Sequence, residues 1–376
     1  MEKFRVTPWE VKGDVDYDKL MREFGTEPIT QGLLERMRKL FGELHPLLER
    51  KLFYTHRDLS WWLDNYEKKK LIALYTGRGP SENTHIGHLI PWILTKWIQE
   101  KTNAPLFFQF TDDEKYFFKE NLTLEDTKRF AFENMLDVAA LGFDKKKTFF
   151  ILDTHHAGLL YPLAVRVAKK ITFSTVRAVF GLNNSSNIGQ IFYTAMQAVP
   201  VMLPKHLTGR DHAVLIPMGI DQDPHFRVAR DVLPRLGYNK PACLHSKFFP
   251  SLTGGSKMSA SSPDSTIYTT DTPKEVERKI KRKALTGGRD TAEEQRKLGG
   301  RPEICPIYQY YMYLFEPDSK KLEERANACR TGKILCGECK QELIDRINKF
   351  LEKHQEKREK LRDSINEWLL SEDHMP

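Results

Sequence analysis

The stretch LIALYTGRGPSENTHIGHLIPWILTKWIQE, residues 71–100, decides the fold. Its first five residues are an unbroken apolar run, the length of a strand buried on both faces. A glycine-rich turn follows, and then Ile90, Ile93, Leu94 and Trp97 recur at helical spacing. The same alternation continues downstream. PLFFQFTDDE (105–114) reads as a strand, LEDTKRFAFENMLDVAALGF (124–143) as a helix closed by glycine, and KTFFILDT (147–154) as a strand. AVLIPMGIDQDPHFRVARDVLPRLGY (213–238) adds a fourth strand and its helix. Alternating strands and helices of this kind predict an α/β fold with a Rossmann-type parallel sheet over residues 71–264.

Around that core lie three other segments. Residues 155–205 interrupt the alternation and read as a helical insertion. Residues 265–376 lose the strand pattern and read as an all-helical C-terminal domain. Within it, Leu343, Ile347, Phe350, Leu351, His354, Leu361, Ile365 and Trp368 track one face. Residues 1–70 read as an N-terminal extension of short helices, with FRVTPWEV (4–11) as a candidate hairpin arm.

Lys and Arg number 59 against 51 Asp and Glu, a net charge of +8, which points to a polyanionic partner. Five scattered cysteines do not form a secreted disulfide framework. The start MEKFRVTPWEV lacks an apolar signal core, and no apolar run approaches membrane-spanning length. A soluble, cytoplasmic protein with no membrane partner is expected.

In an open parallel sheet, ligands bind beyond the carboxyl ends of the strands. That rule gathers Tyr75, Arg78, Gly79, His85, Gly87 and His88 after the first strand. Gln109, Asp112, Asp113, Glu114 and Lys115 follow the second, and Asp221, Gln222 and Asp223 the fourth. Gly87 would let a ligand approach closely, and His85 and His88 would donate hydrogen bonds to phosphate oxygens at a helix start. A metal pair is the other reading of the two histidines, but no third ligand is obvious. GGSKMSAS (254–261) places Lys257 on a glycine–serine loop able to close over a polyphosphate. Taken by itself, that loop would also fit a solvated linker.

HIGH (85–88) and KMSAS (257–261), in that order around an α/β region, resemble the two signature motifs of class I aminoacyl-tRNA synthetases. Ala260 replaces the second lysine of the common Lys-Met-Ser-Lys-Ser form. LYTGRGPS, HIGHLIP, TDDEKY, DQDPHFRVARDV, KPACLHSKFFPSL and GGRD make the chain similar to eukaryotic-type tryptophanyl-tRNA synthetase over nearly its whole length. The resemblance implies activation of tryptophan by ATP with Mg²⁺, release of pyrophosphate, and transfer to tRNA(Trp). It further implies a homodimer and no tightly bound cofactor. It implies that Tyr75 and Gln109 face the indole N–H, and that Glu114, Gln197 and Gln222 hold the amino acid's ends. By the same resemblance, His85, Gly87 and His88 would handle adenosine and phosphates. Lys257 and Ser259 would handle pyrophosphate, on a catalytic loop that includes Met258 and Ser261, with Arg78, Gly79, Lys115 and Asp221 as further ATP- or phosphate-binding residues. No metal ligand is assigned to this site.

Tyrosine is the rival substrate. The related tyrosine enzymes carry a Tyr-x-x-x-Gln-x-x-Asp pattern whose aspartate accepts the phenol. Here Tyr193 and Gln197 are followed by Pro200, which cannot. A buried acceptor that demands the indole N–H also discriminates by ~10⁴–10⁵ without editing. Two further functions fit parts of the pattern: a simpler nucleotidyltransferase, and a non-catalytic synthetase-like binding protein.

Weaker signals remain. Cys329, Cys336 and Cys339, with His354, have zinc-like spacing, although reduced, half-buried thiols are the preferred reading. Arg278, Lys279, Lys281, Arg282 and Lys283 form a basic helix suited to tRNA phosphates. The aromatic run YQYYMYLF (308–315) reads as helix core ahead of a base-stacking platform. His155 and His156 read as structural. Pro8 and Trp9 are placed over the cleft by the resemblance only.

Overall fold

The computed structural model describes residues 4–9, 11–13, 15–255, 257–259 and 262–371. Ser261 therefore lies outside the described residues.

Strands β1 (Arg5–Val6) and β2 (Val11–Lys12) form an antiparallel hairpin. The main sheet has seven strands: β3 (Glu27–Pro28), β4 (Phe53–Arg57), β5 (Ile72–Arg78), β6 (Leu106–Phe110), β7 (Thr148–Leu152), β8 (Ala213–Gly219) and β9 (Ala242–Ser246). Their spatial order is β3-β4-β9-β8-β5-β6-β7. From β9 to β7 all neighbours run parallel, and β4 and β3 add an antiparallel edge. From β5 the chain builds β6 and β7 on one side, then crosses to lay β8 on the other. Strand order thus reverses between β5 and β8, and the cleft opens there.

The four expected parallel strands are present. The sheet is wider than expected, because β3 and β4 come from the segment read as an N-terminal extension, and β9 lies in ACLHS. Neither β4 nor β9 carries a period-two or long apolar signal. Both are short strands threaded with His, Thr and Ser that pair with each other.

Alternation along the strands separates two cores. Leu74, Phe108, Phe110 and Phe150 face the helices Leu89–Thr102 and Leu124–Ala140 together with the C-terminal helices. Tyr75, Phe107, Phe149 and Ile151 face the insertion. The insertion consists of helices Ala157–Ala168, Phe173–Phe180 and Ile188–Met196, followed by shorter turns. Strand β6 and the edge strand β7 are buried along their whole length, as doubly covered parallel strands require.

The C-terminal region is docked on the sheet. Helix Cys336–Leu361 meets helix Leu124–Ala140 through Asp137, which lies 3.0 Å from His354 Nε2 and is ion-paired with Arg358. Burial opposes the Asp137 charge, but the His354 hydrogen bond and the Arg358 charge hold its carboxyl below the usual range. Further on, Leu370 N donates to Phe150 O at 2.9 Å, so the chain end rejoins β7. His156 is structural as expected, with Nε2 2.9 Å from Leu370 O. Tyr310, Tyr311, Tyr313 and Phe315 are buried, so the aromatic run is core and not a stacking platform. Among the described residues no helix is long and apolar enough to cross a membrane.

Candidate active site

The carboxyl ends of β5, β6 and β7 place three side chains in one buried relay. Tyr75 Oη donates to Gln109 Oε1 at 2.6 Å, and Gln197 Nε2 donates to Tyr75 Oη at 2.6 Å. Tyr193, one helical turn before Gln197, donates its hydroxyl to Gln197 Oε1. Behind Gln109, its Nε2 donates to Asp153 Oδ1 and Oδ2 at 2.8 and 2.9 Å. An amide has one donor end and one acceptor end. Asp153 takes the donor end, so the carbonyl oxygen of Gln109 is turned to the Tyr75 hydroxyl and to Gln197 Nε2, which donates to it at 3.1 Å. The Gln109 carbonyl and the Tyr75 hydroxyl are both able to accept from an N–H.

Asp153 was not anticipated from the sequence. It and Asp113 are buried together; burial raises both carboxyls, helped by the Asp113 charge at Asp153 and by the Asp112 and Glu114 charges at Asp113, so the pair keeps a proton at neutral pH. Asp113 also accepts the Glu114 backbone N–H at 2.7 Å. Gln109 is thereby tied through Asp153 to the neighbouring carboxyl.

Glu114 Oε2 accepts from Thr111 Oγ1 at 2.7 Å, while Oε1 accepts from the Trp9 indole Nε1 at 2.9 Å. The Trp9 ring stacks on Phe118 at 4.4 Å and meets His225 edge-on at 5.6 Å. Gln222 Nε2 donates to Pro8 O at 3.3 Å. The turn of the β1–β2 hairpin thus sits on two of the expected substrate groups.

The phosphate end is cationic. His85 opens a 3₁₀ turn, Ile86–His88, that runs into helix Leu89–Thr102, and the two imidazoles stack at 3.4 Å. Burial first, then the Arg78 and Lys257 charges, push both histidines well below their ordinary range, so both are neutral. His85 Nδ1 is buried without a hydrogen-bond partner. Arg78 is pinned by Asn134 Oδ1 at 3.2 Å and by Ser81, and burial lowers it to about 10. Lys115 is lowered to about 8, chiefly by burial.

Several expectations need correction. A Cβ on Gly87 would lie 3.1 Å from both the His85 ring and Phe249, so this glycine makes room for the protein's own packing. On Gly79 it would lie 3.0 Å from Glu114 Oε2, so Gly79 yields to the carboxylate. Asp221, expected among the ATP-binding residues, holds Lys257 Nζ at 2.5 Å. Met258 is 1% exposed in the core, where it anchors the loop, its N donating to Phe249 O at 2.7 Å. Asp112 binds Thr154 N at 3.1 Å, and Asp223 pairs with Arg57 at 2.7 Å; both are structural. On the basic helix, Arg278, Lys279 and Lys281 are paired with Asp264, Asp271 and Glu277. Arg282 and Lys283 are exposed.

Residues 67–352 match the model of the tRNA synthetases of class I (W and Y). The chain is 53% identical over 370 residues to the tryptophan–tRNA ligase of Pyrobaculum calidifontis, covering 98% of each. It is 51% identical to that of Saccharolobus solfataricus, covering 97% of this chain and 95% of the relative. Among solved structures it superposes with a TM-score of 0.89 on the tryptophanyl-tRNA synthetase of Encephalitozoon cuniculi bound to tryptophan, at 34% identity, covering 96% of this chain and 99% of that one. With this match, these relatives and the site just described, the chain belongs to the class I tRNA synthetase family of the tryptophan and tyrosine enzymes.

Proposed function

We propose that this chain is a tryptophan–tRNA ligase in which Tyr75 and Gln109 read the indole N–H. The observation that carries the residue roles is the fixed Gln109 amide, whose donor end is held by Asp153 so that its carbonyl is left to accept beside Tyr75. A substrate ring without an N–H forgoes a hydrogen bond to these acceptors, which is how a large pocket rejects smaller amino acids. Tryptophan is favoured over tyrosine because Pro200, buried in a 3₁₀ turn, stands where a phenol would need a carboxylate.

Glu114, Gln197 and Gln222 hold the ammonium and carboxylate ends. The substrate carboxylate oxygen attacks the α-phosphorus of ATP, forming the adenylate while the bond to the pyrophosphate oxygen breaks. Arg78, Lys115 and Lys257 offset charge on the leaving pyrophosphate, and neutral His85 and His88 donate hydrogen bonds to phosphate oxygens. Lys257 must leave Asp221 to do so, and its loop carries Ser259 and Ser261. A terminal ribose hydroxyl of tRNA(Trp) then takes the acyl group and releases AMP. Mg²⁺ belongs to the reading as the partner of ATP's own phosphates; the protein groups at this end are cations, and none is assigned to the ion.

The finer parts of the reading have their own support. The eukaryotic-type assignment rests on the VTPWEV hairpin docked at the site; the two relatives named above are archaeal, so the branch includes archaeal sequences. A homodimer through the insertion is favoured by Tyr161, Val165, Phe173 and Ile188, large apolar side chains left 57, 44, 40 and 79% exposed on its helices. The helices after residue 265 read the anticodon, and charging of tRNA places the enzyme in the cytoplasm. The test is ATP–pyrophosphate exchange with tryptophan and tyrosine offered separately. Tryptophan-driven exchange is expected; exchange with tyrosine alone would overturn the substrate, and none with either would leave a non-catalytic protein.

A further inference from the structure

Four of the five cysteines line one cavity in the C-terminal helical region. Cys305 precedes helix Pro306–Tyr310, Cys329 lies in the last turn of helix Ser319–Arg330, and Cys336 and Cys339 share the first turn of helix Cys336–Leu361. His354, the fourth ligand expected from sequence, is elsewhere, bonded to Asp137. Cys305 takes its place, brought in from another segment.

We propose that Cys305, Cys329, Cys336 and Cys339 are the ligands of an iron–sulfur cluster. The first argument is spacing in space. A single tetrahedral zinc needs its sulfurs about 3.8 Å apart, given Zn–S bonds of about 2.3 Å. Among the described residues no three His, Cys, Asp or Glu side chains converge that closely. The four thiols instead line one cavity together. A cluster spreads its cysteines over several irons and needs a ring of thiols of this kind.

The second argument is that the backbone is shaped around the sulfurs. A Cβ on Gly288 would sit 2.3 Å from Cys336 Sγ, and on Gly300 it would sit 2.8 Å from Cys329 Sγ. A Cβ on Gly287 would sit 3.2 Å from Cys305 Cβ. Glycines on two separate loops thus leave the cysteines uncovered on their inner side.

Charge and shelter complete the case. Four thiolates around a cluster carry net negative charge. Arg325, mostly buried, sets Nη1 3.6 Å from Cys339 Sγ, and the N-terminus of a 26-residue helix lies at Cys336 and Cys339. Pro302, Ile307, Ile334 and Leu335 form apolar walls. Ligation sends the thiol protons to solvent as iron–sulfur bonds form. The cluster enters already assembled from iron and sulfide, and ligation requires no change of oxidation state. Bound there, it fastens the 286–305 loops to both helices.

The test uses the full chain purified without oxygen. Iron, acid-labile sulfide and zinc are measured per chain, with the visible spectrum and free-thiol count of the native protein. Equal iron and sulfide, broad visible absorption bleached by a reductant, and four of five thiols masked would support the site. The Cys329→Ser/Cys336→Ser protein should lose at least ten-fold of both elements. If it does not fold, refilling stripped wild-type protein with iron and sulfide gives the same readout. Stoichiometric zinc without sulfide, five titratable thiols in folded protein, or iron that survives the double substitution would overturn it.

Discussion

Replacing Asp153 with alanine removes the acceptor that holds Gln109 in one orientation. Gln109 is fully buried, and its Nε2 has contacts of 2.8 and 2.9 Å to the two Asp153 oxygens. Without them the amide either leaves a buried donor unpaired or turns over and offers N–H to the indole N–H. An unsatisfied buried group costs ~1–3 kcal/mol, or about 5- to 140-fold in kcat/KM for tryptophan. An analogue with sulfur in place of the indole N–H gains nothing from the Gln109 carbonyl, so its kcat/KM should fall less. The ratio between the two substrates should therefore shrink by about the same factor. Asparagine gives a second arm. Because the Asp113–Asp153 pair keeps a proton, Asp153→Asn imitates the protonated acid: its carbonyl still accepts from Gln109 while its amide donates to Asp113. It should stay within about three-fold of wild type, inside the scale of one modest hydrogen bond. Pyrophosphate exchange with both substrates, run alongside thermal melts, reads all of this. An unchanged ratio in the alanine variant, with both substrates falling together, would refute the orienting role. An asparagine variant as damaged as alanine would refute the shared proton.

His88→Ala should slow single-turnover adenylation ~100-fold, as loss of one transition-state donor does, while tryptophan Kd stays within about two-fold; equal losses in both would reassign the residue. Lys115 is lowered to about 8 chiefly by burial, so its charge is lost as pH rises through that value. The KM for ATP should climb between about pH 7 and 9, and Lys115→Arg should flatten that climb. Asp137→Ala strands Arg358 and His354 in a buried contact and should cost ~3–5 kcal/mol in denaturant unfolding; a loss under about 1 kcal/mol would contradict the docking described. Buried His225 is lowered to about 3 by burial, against 6.5 when exposed. The unfolded chain binds that proton first, so stability falls as pH drops from 6.5 toward 3, and His225→Phe should lessen the fall.

Much of this was legible in one dimension. The apolar runs at Leu71, Leu106 and Ala213 announced parallel strands because doubly buried strands have no polar face to hide. His85, His88 and Lys257 were legible because few folds need that pair of motifs. What escaped was whatever depends on partners distant in sequence. Strand β9, ACLHS, exists because β8 and β4 flank it, and its own polar residues conceal it. Asp153 follows β7 as Asp112 follows β6, and the rule about strand ends reaches it, but only the fold shows that Gln109 is beside it. Asp221 was assigned by position, and its hold on Lys257 was hidden because that lysine lies 36 residues on. At Gly87 the sequence shows a missing side chain, but not that His85 and Phe249 press on the space it leaves.

The hairpin resting on Glu114 has a consequence for how the enzyme senses its substrate. Trp9 offers the carboxylate a ring and an N–H of its own, and both Glu114 oxygens are engaged while it does so. An incoming ammonium therefore meets a tethered rival whose local concentration is fixed by a short stretch of chain and is unaffected by dilution. The apparent affinity for free tryptophan equals the intrinsic one reduced by the fraction of molecules in which the hairpin has lifted. A few residues at the start of the chain thereby act as a dial. Strengthening their hold raises the tryptophan concentration at which charging begins, and weakening it lowers that threshold, with no change to the groups that perform the chemistry.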